Sequence, residues 1–132
     1  MTERQHPPPD AMAHFAARKA ELAAFQARLP ALRTAGVEAL QRLMPIAQSD
    51  TGQSQVIARF LLSLYNGDRF PFDLTDFRRL DLALFNDCMA VLAMDFSPEK
   101  EVHKYFENGG ECFESLAKEW GFRDFYGEQS FR

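Results

Sequence analysis

The sequence is poor in residues that staple or anchor a protein: it has two cysteines and one tryptophan. No apolar run approaches the roughly 20 residues that cross a bilayer, so we expect no membrane contact. Cys88 and Cys112 lie in apolar helical patterns without nearby metal ligands, which favours reduced thiols in a cytoplasmic protein over a disulfide. The first ten residues contain three consecutive prolines and no apolar signal core. They predict a disordered tail over residues 1–10.

Motifs of common catalytic sites are also absent. The chain has no glycine-rich nucleotide loop, nucleophile elbow, paired-cysteine zinc spacing, His-Glu-x-x-His or calcium loop. We therefore expect a non-enzymatic protein without cofactor or metal. One alternative is a small metal-dependent enzyme around His103, because Glu107 follows four residues later and would share its helix face. A solvated helix face explains the same pair.

The net charge of −4 is unevenly distributed. Residues 1–50 carry six Lys and Arg against five Asp and Glu, whereas residues 51–132 carry nine against fourteen. An acidic body repels phosphate backbones, so non-specific nucleic-acid binding is disfavoured. A DNA-binding regulator remains an alternative that would use the cations of the N-terminal helices: Arg18, Lys19, Arg28, Arg33 and Arg42.

No window alternates strictly between apolar and polar residues, whereas several repeat with helical period. We predict an all-α fold, a compact bundle of about five to six helices around a central helix near residues 75–94. Capping residues, prolines and glycines divide the pattern further. The remaining predicted helices are 11–29, 30–45 as a separate or kinked continuation, 55–65 with Ser54 as its cap, 98–107, and 111–120 ending at Gly121.

The polar stretch 48–53 predicts a linker between an N-terminal helical arm, residues 11–47, and a main helical domain, residues 54–132. The stretch is too short to separate two independent domains. The chain is therefore expected to form one structural domain overall.

Aromatic and basic side chains gather on the connection after the 55–65 helix and at the start of the next. Aromatic rings beside arginine are typical of protein interfaces. Two other interpretations compete: the rings plug the end of the bundle, and Asp73 and Asp76 cap a helix while neighbouring acids pair with the arginines. The candidate binding residues are Tyr65, Asp68, Arg69, Phe70, Phe72, Arg78 and Arg79.

The run Leu64-Tyr65-Asn66-Gly67-Asp68-Arg69-Phe70-Pro71-Phe72-Asp73-Leu74-Thr75, with Asn108-Gly109-Gly110 further on, carries a resemblance over about residues 54–121. This stretch resembles an uncharacterised proteobacterial family found on integrative conjugative elements, plasmids and prophage-like islands. The resemblance implies a bacterial cytoplasmic setting and a mobile-element context, with accessory or anti-defence roles. It carries over no activity and no site residue.

We therefore expect a protein-binding accessory or regulatory protein of a bacterial mobile element. Its expected partner is a host or element-encoded protein. Phe15, Leu22 and Leu29 repeat every seven residues, which also indicates a homodimer through the N-terminal helices.

Overall fold

The computed structural model describes residues 8–127. Most of the predicted tail over residues 1–10 lies outside the described residues. Within residues 8–127 every regular element is helical and none is a strand, which confirms the all-α class. The elements are α1 (Pro9–Ala47), α2 (Gly52–Tyr65), a 3-10 helix (Leu74–Arg79), α3 (Leu82–Asp95), a second 3-10 helix (Val102–Tyr105) and α4 (Gly109–Trp120).

The chain divides into two compact units, Met1–Ala31 and Leu32–Arg132. Helix α1 contributes to both, and the boundary falls beside Pro30. The polar stretch 48–53 lies inside the second unit. None of the helices described between residues 8 and 127 combines the length and apolar character that a bilayer crossing requires.

The core lies in the second unit and is built on α2. Seven of the fourteen α2 residues are buried, because apolar side chains occupy nearly every position between Val56 and Leu62. Helix α1 presents a stripe with spacings of three and four residues, which is one face of an α-helix. That stripe consists of Gly36, Ala39, Leu40, Leu43, Met44 and Ala47.

Helices α3 and α4 each bury a narrower stripe. Cys88, Val91 and Met94 face the core from α3, and Phe113 and Leu116 are the largest buried side chains of α4. The C-terminal end of α4 is held by Trp120, whose Nε1–H donates to the carbonyl of Ala47 at 2.8 Å. This bond fixes where the chain leaves α4.

The helix predicted over residues 75–94 is divided in the structure. A 3-10 helix ends at Arg79, Leu80 and Asp81 are extended, and α3 begins at Leu82. Asp81 explains the break. Its carboxylate accepts the N–H of Leu84 at 2.9 Å, and its own N–H donates to Gln53 Oε1 at 2.7 Å instead of continuing a helical ladder.

Other predicted boundaries also move. Neither Pro30 nor Pro45 ends α1, which runs without a break to Ala47. Thr51, not Ser54, caps α2, since its Oγ1 accepts the N–H of Ser54 at 3.0 Å. The predicted capping role of Asp73 is confirmed by its bond from Thr75 N–H at 2.9 Å.

The region 97–110 differs most from its prediction. Between residues 97 and 108 only Val102–Tyr105 is helical, and it is a single 3-10 turn. Gly109 and Gly110 open α4, although they were expected to end a preceding helix. Gly109 packs so closely on the carbonyl of His103 that any side chain would collide with it. The predicted end of α4 at Gly121 is confirmed, with φ of 69°.

Close packing of α1 on α3 gives a stability test. A Cβ at Gly36 would collide with the side chain of Met94, so we expect Gly36→Ala to lower the free energy of unfolding by about 1–3 kcal/mol. The matched control is Gly110→Ala, where no atom lies within 4 Å of the added Cβ. We expect it to be neutral or to stabilise by up to about 1 kcal/mol. Urea denaturation measures both, and equal effects would contradict this packing.

Candidate functional site

Arg69, on the loop after α2, is the centre of a group that we call the ion cluster: Tyr65, Arg69, Glu114 and Asp124. The Nη1 and Nη2 of Arg69 donate to the two Glu114 oxygens at 2.7 and 2.8 Å. Its Nε and Nη2 also donate to Asp124 Oδ2 at 3.0 and 2.8 Å. The Tyr65 hydroxyl donates to Glu114 Oε2 at 2.5 Å. The Arg69 fork is therefore occupied within the protein.

Hydrogen bonds within the ion cluster shift the pKa values of its own members. Hydrogen bonds from Arg69 lower the pKa of Glu114 and the pKa of Asp124. The hydrogen bond to Glu114 raises the pKa of Tyr65, and the two carboxylates raise the pKa of Arg69. Both acids consequently stay ionised at neutral pH, and the tyrosine stays protonated.

The segment after α4 is held on the loop after α2. Phe125 N–H donates to the carbonyl of Arg69 at 3.1 Å, and Asp124 Oδ1 accepts the N–H groups of Tyr126 and Gly127 at 3.1 and 2.6 Å. Together with the ion pair between Arg69 and Asp124, these hydrogen bonds hold residues 121–127 beside Phe70.

Between this segment and the loop lies a cleft, which we call the aromatic cleft. Arg59 places its guanidinium 4.1 Å from the centre of the Phe122 ring, and Arg123 lies 4.2 Å from the Phe125 ring. Such cation–π contacts orient a guanidinium over the face of a ring. The cleft is lined by Arg59, Phe70, Pro71, Phe122, Arg123 and Phe125.

The predicted binding residues do not form one surface. Phe70 is only 4% exposed and lines the cleft, with the Arg69 guanidinium 4.8 Å from its ring centre. Phe72 instead packs edge-on against Phe60 and against Phe77, with ring centres 5.9 and 4.8 Å apart. Phe72 therefore closes the end of the core, which is the role that the competing interpretation gave it.

The remaining predicted residues are exposed. Asp68, Arg78 and Arg79 all lie at the surface, and Arg79 Nη2 reaches the carbonyl of Gly52 at 3.5 Å. Their role in binding stays a prediction.

Of the six residues that line the cleft, only Phe70 was among the predicted binding residues, and both cations, Arg59 and Arg123, were missed. Arg59 interrupts the apolar pattern of α2 and reads as an ordinary solvent-facing residue. Arg123 stands between Phe122 and Phe125, and that alternation of ring and cation was the only available signal. The contact of both with the Phe70 loop depends on tertiary structure.

The metal and nucleophile candidates have other surroundings. His103 and Glu107 do not share an α-helix, because the 3-10 turn ends at Tyr105. The His103 ring packs edge-on against Tyr65, 5.1 Å between centres. Among residues 8–127, no three histidine, cysteine or acidic side chains gather in a way that would hold a metal.

Both cysteines are free thiols. Burial raises the pKa of Cys88 to about 12, and burial also raises the pKa of Cys112. Neither thiol has the lowered pKa of a nucleophile.

The cations of the DNA-binding alternative fall into two groups. Arg33 donates to the carbonyl of Ser97 at 3.0 Å, and Arg42 pairs with Asp87 at 2.8 Å. Arg18, Lys19 and Arg28 are exposed on the first unit.

Comparison with known proteins gives one match. Residues 37–121 match the model of a family described as a family of unknown function, DUF7673. Because this match covers more than half of the 132 residues, the chain belongs to that family. No curated protein and no solved structure matches the chain.

Removing the centre of the ion cluster should destabilise the protein. We expect Arg69→Met to lower the free energy of unfolding by about 1–3 kcal/mol near neutral pH, because Glu114 and Asp124 lose their shared partner. The matched control is Arg42→Met, which removes a more exposed arginine with a single acidic partner and should cost less than Arg69→Met.

The effect of Arg69→Met should also depend on pH. Because the pKa values of Glu114 and Asp124 are lowered on folding, their stabilisation is complete above their unfolded pKa values and is lost as pH falls through the folded ones. The difference between wild type and Arg69→Met should therefore shrink below about pH 4. Chemical denaturation at several pH values measures it, and a difference that stays constant into acid would contradict the ion cluster.

Proposed function

We propose that this member of the DUF7673 family is a non-enzymatic binding protein that binds a segment of another protein over the aromatic cleft, whose cavity of about 40 Å³ accepts one small group of that segment. The observation that supports this most directly is the pairing of Arg59 with Phe122 and of Arg123 with Phe125 around one cleft. Arginine and aromatic side chains dominate the binding energy of protein interfaces.

The chemistry of the cleft favours an acidic segment. Among residues 8–127 Arg59 has no carboxylate partner, and its contact is with the face of Phe122. A carboxylate can approach the guanidinium edge while apolar side chains beside it cover Pro71 and Phe125. The partner segment that fits therefore carries an acid next to an apolar or aromatic residue.

The nearby ion cluster supports a defined, rigid site. Arg69 is neutralised by Glu114 and Asp124, so these three groups hold the wall of the cleft without competing for the ligand. Exposed Pro71 and Phe125 need apolar side chains to cover them, which a protein segment supplies and a phosphate backbone does not. A protein segment is for this reason preferred to nucleic acid.

The biological setting that we propose is the bacterial cytoplasm, with the protein acting as an accessory or anti-defence factor of a mobile element. The resemblance of residues 54–121 to proteins of such elements supports this setting. A host or element-encoded protein is the corresponding partner.

Site-specific cross-linking tests the proposal. A photoreactive phenylalanine analogue replaces Phe125, and a control probe replaces the exposed Glu107; both proteins are exposed to bacterial lysate with and without nuclease. We expect a nuclease-resistant adduct from position 125 that is absent from position 107. The adduct should bind through a segment with an acidic residue next to an apolar one, which peptide mapping of the cross-link identifies.

Charge reversal provides the control for specificity. Arg59→Glu should reduce the Phe125 adduct at least about tenfold, because it repels the acid of the segment. The matched variant Arg79→Glu changes an exposed cation outside the cleft and should leave the adduct unchanged. Circular dichroism confirms that both variants are folded. Adducts that depend on nucleic acid, or that are insensitive to Arg59→Glu, would contradict the proposal.

A further inference from the structure

The first unit carries an apolar surface that the aromatic cleft does not use. Met12, Phe15 and Leu22 of α1 are 58%, 69% and 56% exposed. They are three and seven residues apart, so they follow one side of the helix over about 15 Å. Three large apolar side chains at such exposure on one helix side form a surface suited to a partner.

Two cations stand within this surface. An open depression in the surface of α1, which we call the slot, lies between these side chains. It is lined by Phe15, Ala16, Arg18, Lys19 and Leu22. Neither cation has an ion pair among residues 8–127, and the small Ala16 leaves space between the two larger apolar side chains. The slot therefore has apolar ends and a positively charged middle.

We infer that this slot docks an amphipathic helix of another protein, in which a carboxylate lies between two apolar residues one turn to either side. Such a helix places its apolar anchors on Phe15 and Leu22 and its acid beside Arg18 and Lys19. Spacing of i and i+7 for the anchors, with the acid between them, matches the spacing of Phe15 and Leu22. This inference does not rest on the aromatic cleft.

Charge selects this occupant among the alternatives. A second copy of the same surface would bring Arg18 and Lys19 against like charges. Anionic membranes are recognised by clusters of about four to eight cations, whereas residues 8–31 carry three, offset by Asp10 and Glu21. A nucleic-acid phosphate backbone would leave the three exposed apolar side chains uncovered. A protein helix that carries an acid between apolar residues complements both the exposed apolar side chains and the two cations.

A designed peptide pair tests the inference with the full chain. One fluorescent, alanine-rich peptide carries Leu at i and i+7 and Glu at i+3 and i+4; its partner carries Lys in place of both Glu residues. Fluorescence anisotropy should show the Glu peptide binding at least about tenfold tighter than the Lys peptide. The double variant R18E/K19E should reverse this preference, which loss of folding cannot do.

Two further variants separate apolar docking from general charge. F15S/L22S should abolish binding of the Glu peptide, because it removes both apolar ends of the slot. Arg28→Glu, an exposed cation of the same helix outside the slot, should change affinity by less than about twofold. Equal binding of the two peptides, equal effects of R28E and R18E/K19E, or a protein dimer that F15S/L22S dissociates would overturn the inference.

Discussion

The shared ion pair of Arg69 with Glu114 and Asp124 is the interaction on which the proposed binding surface depends. Arg69 stands on the loop after α2, Glu114 on α4, and Asp124 on the segment that follows α4. One guanidinium fork thus joins three parts of the chain that are far apart in sequence. The side chains of Arg69, Glu114 and Asp124 are 24%, 41% and 27% exposed, so solvent screens the two pairs only in part.

The aromatic cleft follows from that constraint. Asp124 positions Phe125, and the backbone bond from Phe125 to Arg69 brings this ring to the Phe70 loop. The guanidinium of Arg59, which lies on α2, then packs on the ring of Phe122. The cleft is consequently assembled from parts that are individually ordinary: one arginine on a helix, one loop and one short C-terminal segment. The bonds of Asp124 and Arg69 preorganise the cleft, and a preorganised surface loses little entropy on binding, which favours the recognition of a partner segment that we propose.

The sequence predicted the all-α class, the end of α4 at Gly121 and the cap at Asp73, since these depend on local patterns. It failed at Asp81, where a distant residue decides: Gln53, 28 positions earlier, binds the N–H of Asp81 and divides the predicted 75–94 helix. It also failed at Gly109, which opens α4, because the close approach of Gly109 to the backbone of His103 leaves no mark on the helical pattern. The site was half found for the same reason. Arg69 and Phe70 lie on a loop whose aromatic and charged residues stand out in the sequence. The place of Arg59 in the cleft depends instead on its contact with Phe122, 63 positions later.

Amide hydrogen exchange, with and without the partner captured through position 125, tests the central claim most directly, namely that the aromatic cleft is the binding surface. The account predicts slower exchange in residues 69–71 and 121–127 on binding, because these segments form the two walls of the cleft. Protection confined to the Leu74–Arg79 helix or to residues 8–31, with the cleft segments unchanged, would contradict it.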